Sequence, residues 1–101
     1  MVGELSFIKE YKVNKQPTIN EFTSFIQEEA KKMGLETEHE GLCSLTIYKP
    51  RFSKFKLIQR FKIGIRGYLS HEGVVDKVLI SSYNEGNSYA EILYNALASK
   101  F

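Results

Sequence analysis

The chain has 101 residues, 43% hydrophobic and 26% charged, with one cysteine, two prolines and a formal charge of +2. A chain of this length buries roughly 65% of the surface its unfolded form exposes, enough for one core and not two, so one unit spanning 1–101 is expected. The lone Cys43 excludes an internal disulfide and favours a cytoplasmic setting, while the absence of a charged-then-apolar leader or a run of roughly 20 apolar residues argues against export and a membrane partner.

Leu5, Phe7, Tyr11 and Val13 alternate with Ser6, Glu10 and Lys12, the pattern of a half-buried strand interrupted at Ile8 and Lys9. Thr18-Ile19-Asn20-Glu21 has the spacing of a capping box, in which hydroxyl and carboxylate each accept from the other residue's amide. It predicts a helix over 19–33, with Ile19, Phe22, Ile26, Ala30 and Met33 as its apolar stripe, Phe25 widening it and Gly34 ending it. Three β segments follow, at 35–49, 55–69 and 74–83, divided by Pro50-Arg51-Phe52-Ser53-Lys54 and by Ser70-His71-Glu72-Gly73. Asn84-Glu85-Gly86-Asn87 then reads as a turn and Ser88-Tyr89-Ala90-Glu91 as a second capping box. The helix that follows carries Tyr89, Ile92, Leu93, Ala96 and Leu97 on its apolar stripe and Tyr94 exposed or at an interface.

The predicted fold class is therefore α+β, in the order β-α-β-β-β-α. Side chains alternate across a strand. Phe55, Leu57, Gln59, Phe61, Ile63 and Ile65 fall on one, mainly apolar face of the second β segment, and Lys56, Ile58, Arg60, Lys62, Gly64 and Arg66 on the other, mainly basic one. Leu35, His39, Cys43, Leu45 and Ile47 likewise separate from Glu36, Glu38, Glu40, Ser44, Thr46 and Tyr48. Both helices must cover the apolar side of an antiparallel sheet, leaving the charged side in water. A five-residue connection with Lys49 opposite Phe55 would set Glu38 opposite Arg66, so that the glutamates offset that end of the basic strand. The segment 74–83 is expected on the far side of the central strand.

Between residues 49 and 66 stand Lys49, Arg51, Lys54, Lys56, Arg60, Lys62 and Arg66 with no acid, so the remainder of the chain is net negative. With the glutamates placed near Lys62 and Arg66, the candidate anion-binding residues are Tyr48, Arg51, Lys54, Lys56 and Arg60. Cations neutralise phosphates, hydroxyls donate to phosphate oxygens, and exposed rings such as Tyr48 and Phe52 stack on bases. An equally economical reading makes these cations an ordinary solvated face that discourages strand-to-strand aggregation. Contact with an acidic protein would use the same groups.

Catalytic patterns are sparse. Cys43 on an apolar face reads as a buried, inert thiol, and His39 as a residue flanking the same core. His39, His71 and Cys43 on separate elements lack zinc-ligand spacing, so no metal and no cofactor is expected. Glu36, Glu38 and Glu40 read as a solvated charged face. Gly64 and Gly67 interrupt a strand, where they permit bending, instead of forming a phosphate loop.

From the first helix onward, the α-β-β-β-α order resembles the double-stranded-RNA-binding domain, and Gly86-Asn87-Ser88-Tyr89-Ala90 is similar to the start of that family's last helix. The family's lysine pair follows the serine, whereas Tyr89 and Ala90 stand there, so the resemblance implies fold and not that RNA contact. The close, Ala96-Leu97-Ala98-Ser99-Lys100-Phe101, resembles the phage ABA-sandwich family of small proteins. That likeness implies a viral accessory protein with helices on both sheet faces. The functional expectation is a non-enzymatic domain that binds nucleic acid or a nucleotide-containing ligand through its basic face. The alternative is a protein-interaction or inhibitor module that uses a sheet face or edge, and so small a domain is also suited to forming a homodimer.

Overall fold

The computed structural model describes residues 6–52, 57–83 and 86–101. Its elements are β1 (Ser6–Lys12), α1 (Ile19–Lys32), β2 (Glu36–His39), β3 (Ser44–Phe52), β4 (Leu57–Leu69), β5 (Val75–Tyr83) and α2 (Gly86–Lys100). The strands form one antiparallel sheet in the order β1-β5-β4-β3-β2. The α+β class is as the sequence predicts, with β4 central and β5 on its far side. Four strands, not three, separate the helices.

The additional strand arises because residues 35–49 fold back on themselves. Gly41 to Cys43 form the turn, and the amides of Glu40 and Gly41 donate to the Ser44 carbonyl. Glu36 therefore pairs with Tyr48 and Glu38 with Thr46, which corrects the expected pairing of Glu38 with Arg66. The β3–β4 register is also displaced: Ser44 faces Arg66 and Tyr48 faces Lys62. The reason lies at Pro50, expected in the connection but placed inside β3 beside a register shift between Tyr48 and Pro50. Proline lacks an amide hydrogen, and a bulge is where a ladder tolerates that loss. The strand consequently extends to Phe52.

Helix α1 begins as its capping box predicts. The Glu21 amide donates to Thr18 Oγ1 at 3.2 Å and the Thr18 amide donates to Glu21 Oε1 at 2.9 Å. Gly34, just beyond the helix, has φ +74°, the left-handed conformation that favours glycine. Helix α2 starts at Gly86, so Ser88 lies within its first turn and is not the cap. Its buried stripe is Gly86, Ala90, Leu93 and Leu97, whereas Ile92 is 52% exposed. Tyr94, expected exposed or at an interface, instead packs its ring within the chain, edge-on to Tyr11 at 5.3 Å and Phe7 at 6.4 Å between centroids.

Both helices contribute to one buried cluster. Phe22, Ile26 and Ala30 from α1 and Ala90, Leu93 and Leu97 from α2 join Leu45, Ile47, Ile63, Ile65, Val78 and Ile80 from the sheet. Burying each large aliphatic or aromatic side chain contributes about 1.5–3 kcal/mol. The sheet residues of this cluster share one face, because Ile47 pairs with Ile63, Leu45 with Ile65 and Ile65 with Ile80. Both helices thus lie on that face, as predicted.

Candidate functional site

The opposite face consists of the intervening residues: Ser44, Thr46 and Tyr48 of β3, Lys62, Gly64, Arg66 and Tyr68 of β4, and Lys77, Leu79 and Ser81 of β5. On the flanks stand Glu36 and Glu38 of β2, and Ile8, Glu10 and Lys12 of β1. Neither helix covers it. Its cross-strand rows read Glu36, Tyr48, Lys62 at one end and Glu38, Thr46, Gly64, Ser81, Ile8 in the middle. The next rows read Ser44, Arg66, Leu79, Glu10 and then Tyr68, Lys77, Lys12.

At the centre, glycine's missing side chain opens a depression of about 280 Å³. Ser44, Thr46, Gly64, Arg66, Leu79 and Ser81 line it, with Glu40 at the rim. A Cβ at position 64 would stand 3.2 Å from Ser81 Oγ. Gly64 is therefore a close-approach residue and not simply a bend. Gly67 is similar on the buried face, where an added Cβ would meet Phe22 Cε2 at 3.0 Å.

Lys62 and Arg66 are exposed, and among the described residues neither forms an ion pair. The expected neutralisation of both by the glutamates is corrected by the register, which puts Tyr48 or Thr46 between β2's carboxylates and β4. Lys77, by contrast, is held: its Nζ lies 3.6 Å from Glu10 Oε2 and 4.7 Å from the Tyr68 ring centroid.

Of the candidate residues, Tyr48 is half-buried on the open face, directly opposite Lys62. Lys54 and Lys56 lie outside the described residues, as do the side chains of Arg51, Phe52 and Arg60. The backbones of Arg51 and Arg60 belong to β3 and β4, on the far side of the register shift from the depression. Sequence reasoning missed Lys62, Arg66 and Ser81 as site residues. The first two stood in the basic window all along, but the register expected from the sequence assigned them carboxylate partners.

Cys43 is buried and its Sγ donates to the Gly67 carbonyl at 3.0 Å. Burial is the largest influence on its thiol and pushes the pKa up, with the charge of Arg66 a smaller opposing one. A protonated thiol is a poor nucleophile at neutral pH. His39 is exposed, and its Nε2 lies 3.1 Å from Gln27 Nε2 in a hydrogen bond that ties β2 to α1. It is therefore a rim residue rather than a flank of the core. No helix among the described residues is long and apolar enough to cross a membrane. Comparisons with protein-family models, curated proteins and solved structures find no match to this chain.

Proposed function

We propose that this protein is a non-catalytic binding domain whose open sheet face contacts an anionic partner, a nucleic acid or a nucleotide-containing ligand. The observation that carries the reading is the pair of exposed cations, Lys62 and Arg66, which form no ion pair among the described residues and stand on the central strand of a face that neither helix covers. Hydroxyls of Ser44, Thr46 and Ser81 beside Arg66 supply neutral donors, the mixture that phosphate oxygens accept. Tyr48 opposite Lys62 adds a ring for stacking. In this reading Arg51, Lys54, Lys56 and Arg60, the cations of the adjoining stretch of sequence, add to the positive charge.

The rival, a protein-interaction or inhibitor module acting through the sheet face or an edge, has less support at the edges. Edge strand β2 is four residues long and carries Glu36 and Glu38, while edge strand β1 places Lys9 opposite Ile80, on the helix-covered side. Short strands and inward charges at an edge discourage strand addition.

Titration of labelled RNA and DNA at increasing salt tests the proposal. Affinity should fall steeply with salt, and the double reversal Lys62→Glu/Arg66→Glu should remove it, with Lys56→Glu/Arg60→Glu weakening it. Binding that is indifferent to salt and to both reversals would reject the face. Turnover lost on changing Cys43 or His39 would reject the non-catalytic reading.

A further inference from the structure

We infer that the partner is an extended single-stranded nucleic acid lying along β4, with a phosphate seated over Gly64; this rests on the anion-binding reading above and adds the ligand's form and direction.

The direction follows from the banding of charge across the open face. Glu36 and Glu38 occupy β2, and Glu10 occupies β1, so carboxylates border the sheet on both sides. Lys62 and Arg66 stand on the central strand between them, with Ser44 and Thr46 on one side and Ser81 on the other. A polyanion laid across the strands would have to pass over these acids. Laid along β4, it meets Lys62, the Gly64 depression and Arg66 in turn and keeps both acidic borders at its flanks. The depression also has a shape suited to one phosphate: it is floored by a residue without a side chain and bordered by the hydroxyls of Ser44, Thr46 and Ser81, the Arg66 guanidinium and Leu79, with the Glu40 carboxylate at its rim as the one opposing charge among its lining residues.

The form follows from the two rings. Tyr48 pairs with Lys62 at one end of this track, and Tyr68 stands six residues further along β4. At about 3.3 Å per residue that separation is roughly 20 Å. One cation, Lys77, already sits against the Tyr68 ring. Rings on a protein surface gain from a nucleic acid only when bases are splayed out to stack on them, and a duplex keeps its bases stacked inside. Two rings bracketing a cationic track therefore favour a single strand over a duplex. An acidic polypeptide would satisfy the cations but would leave the rings without stacking partners.

Fluorescence anisotropy with a labelled 12-nucleotide oligo(dT), its RNA counterpart, a duplex of equal length and a polyglutamate peptide tests the inference. Single strands should bind more tightly than either other probe. Tyr48→Ala should weaken them roughly 5- to 150-fold, the range found for loss of one stacked base, without moving the polyglutamate affinity. Gly64→Val, which fills the depression, should weaken them too; should that variant fail to fold, Arg66→Gln on the solvent face makes the same test. Equal or tighter duplex binding, equal polyglutamate binding, or single-strand affinity unchanged by Tyr48→Ala would overturn this inference and leave the anion-binding reading standing. No binding to any polyanion at low salt would overturn both.

Discussion

Tyr11 carries its hydroxyl into the edge of the core, where it has no hydrogen-bond partner among the described residues. Burial, with a smaller contribution from the neighbouring Tyr94, raises its pKa well above the ordinary tyrosine value. A raised acid constant in the folded state means that the unfolded chain releases the proton first, so stability is intact below the unfolded pKa near 10 and declines as pH climbs beyond it. Tyr11→Phe should therefore flatten the loss of stability between pH 9 and 11, and should leave the protein as stable or about 1 kcal/mol more stable at pH 7. Urea unfolding at a series of pH values measures both. Gly67 presents the converse case, since adding one carbon there meets the Phe22 ring and Val75 Cγ1. Gly67→Ala should cost about 1–3 kcal/mol through overpacking, visible as a lower urea midpoint with unchanged slope. At this scale the sequence showed Cys43 as buried because it stood among alternating apolar residues. It misassigned Tyr94 and Ile92, because their sides of α2 depend on the helix's rotation, which packing against Phe7 and Tyr11 decides.

Among the elements, α1 has its start written in four residues, and the reciprocal bonds of Thr18 and Glu21 form as that spacing requires. The same bonds hold the Glu21 carboxyl below its usual range, so their contribution is present above the unfolded carboxylate pKa and fades as acid protonates the group. Thr18→Ala should lower stability by about 1 kcal/mol at neutral pH, with the difference from the parent shrinking toward pH 3 in thermal melts. The β2–β3 hairpin was invisible for a geometric reason. Its turn leaves partners such as Glu38 and Thr46 with the same parity, so inward residues remain odd-numbered through the reversal and the alternation runs on unbroken. The β3–β4 pair shows the companion ambiguity. Alternation specifies which residues share a face, but strands can slide by an even number of residues without disturbing that pattern. Only the bulge at Pro50 and the extended β3 select the pairing of Ser44 with Arg66.

At the scale of the molecule, the described residues leave one sheet face open and protect both sheet edges. Lys9 illustrates the protection: it interrupts the apolar alternation of β1 and places a charge on the helix-covered side, opposite Ile80, where an approaching strand would have to desolvate it. Lys9→Val should produce concentration-dependent association in sedimentation velocity, while the parent's sedimentation coefficient stays constant over the same range. The open face derives from the same economy. Two helices suffice to cover the apolar side, and the residues alternating with that side are too polar to recruit a third layer. What remains is a surface with carboxylates at its borders and cations on its midline.

Local chemistry determined the class of fold, the first helix and the division of the sheet into an apolar and a polar side, because capping and alternation act over a few residues and are written in consecutive positions. Tertiary structure alone decided which cations meet which carboxylates, since strand register depends on turns, a proline-bearing bulge and the packing of distant side chains. That one decision puts Tyr48 and Thr46 between β4 and the carboxylates of Glu36 and Glu38, and makes the centre of the sheet the candidate binding surface.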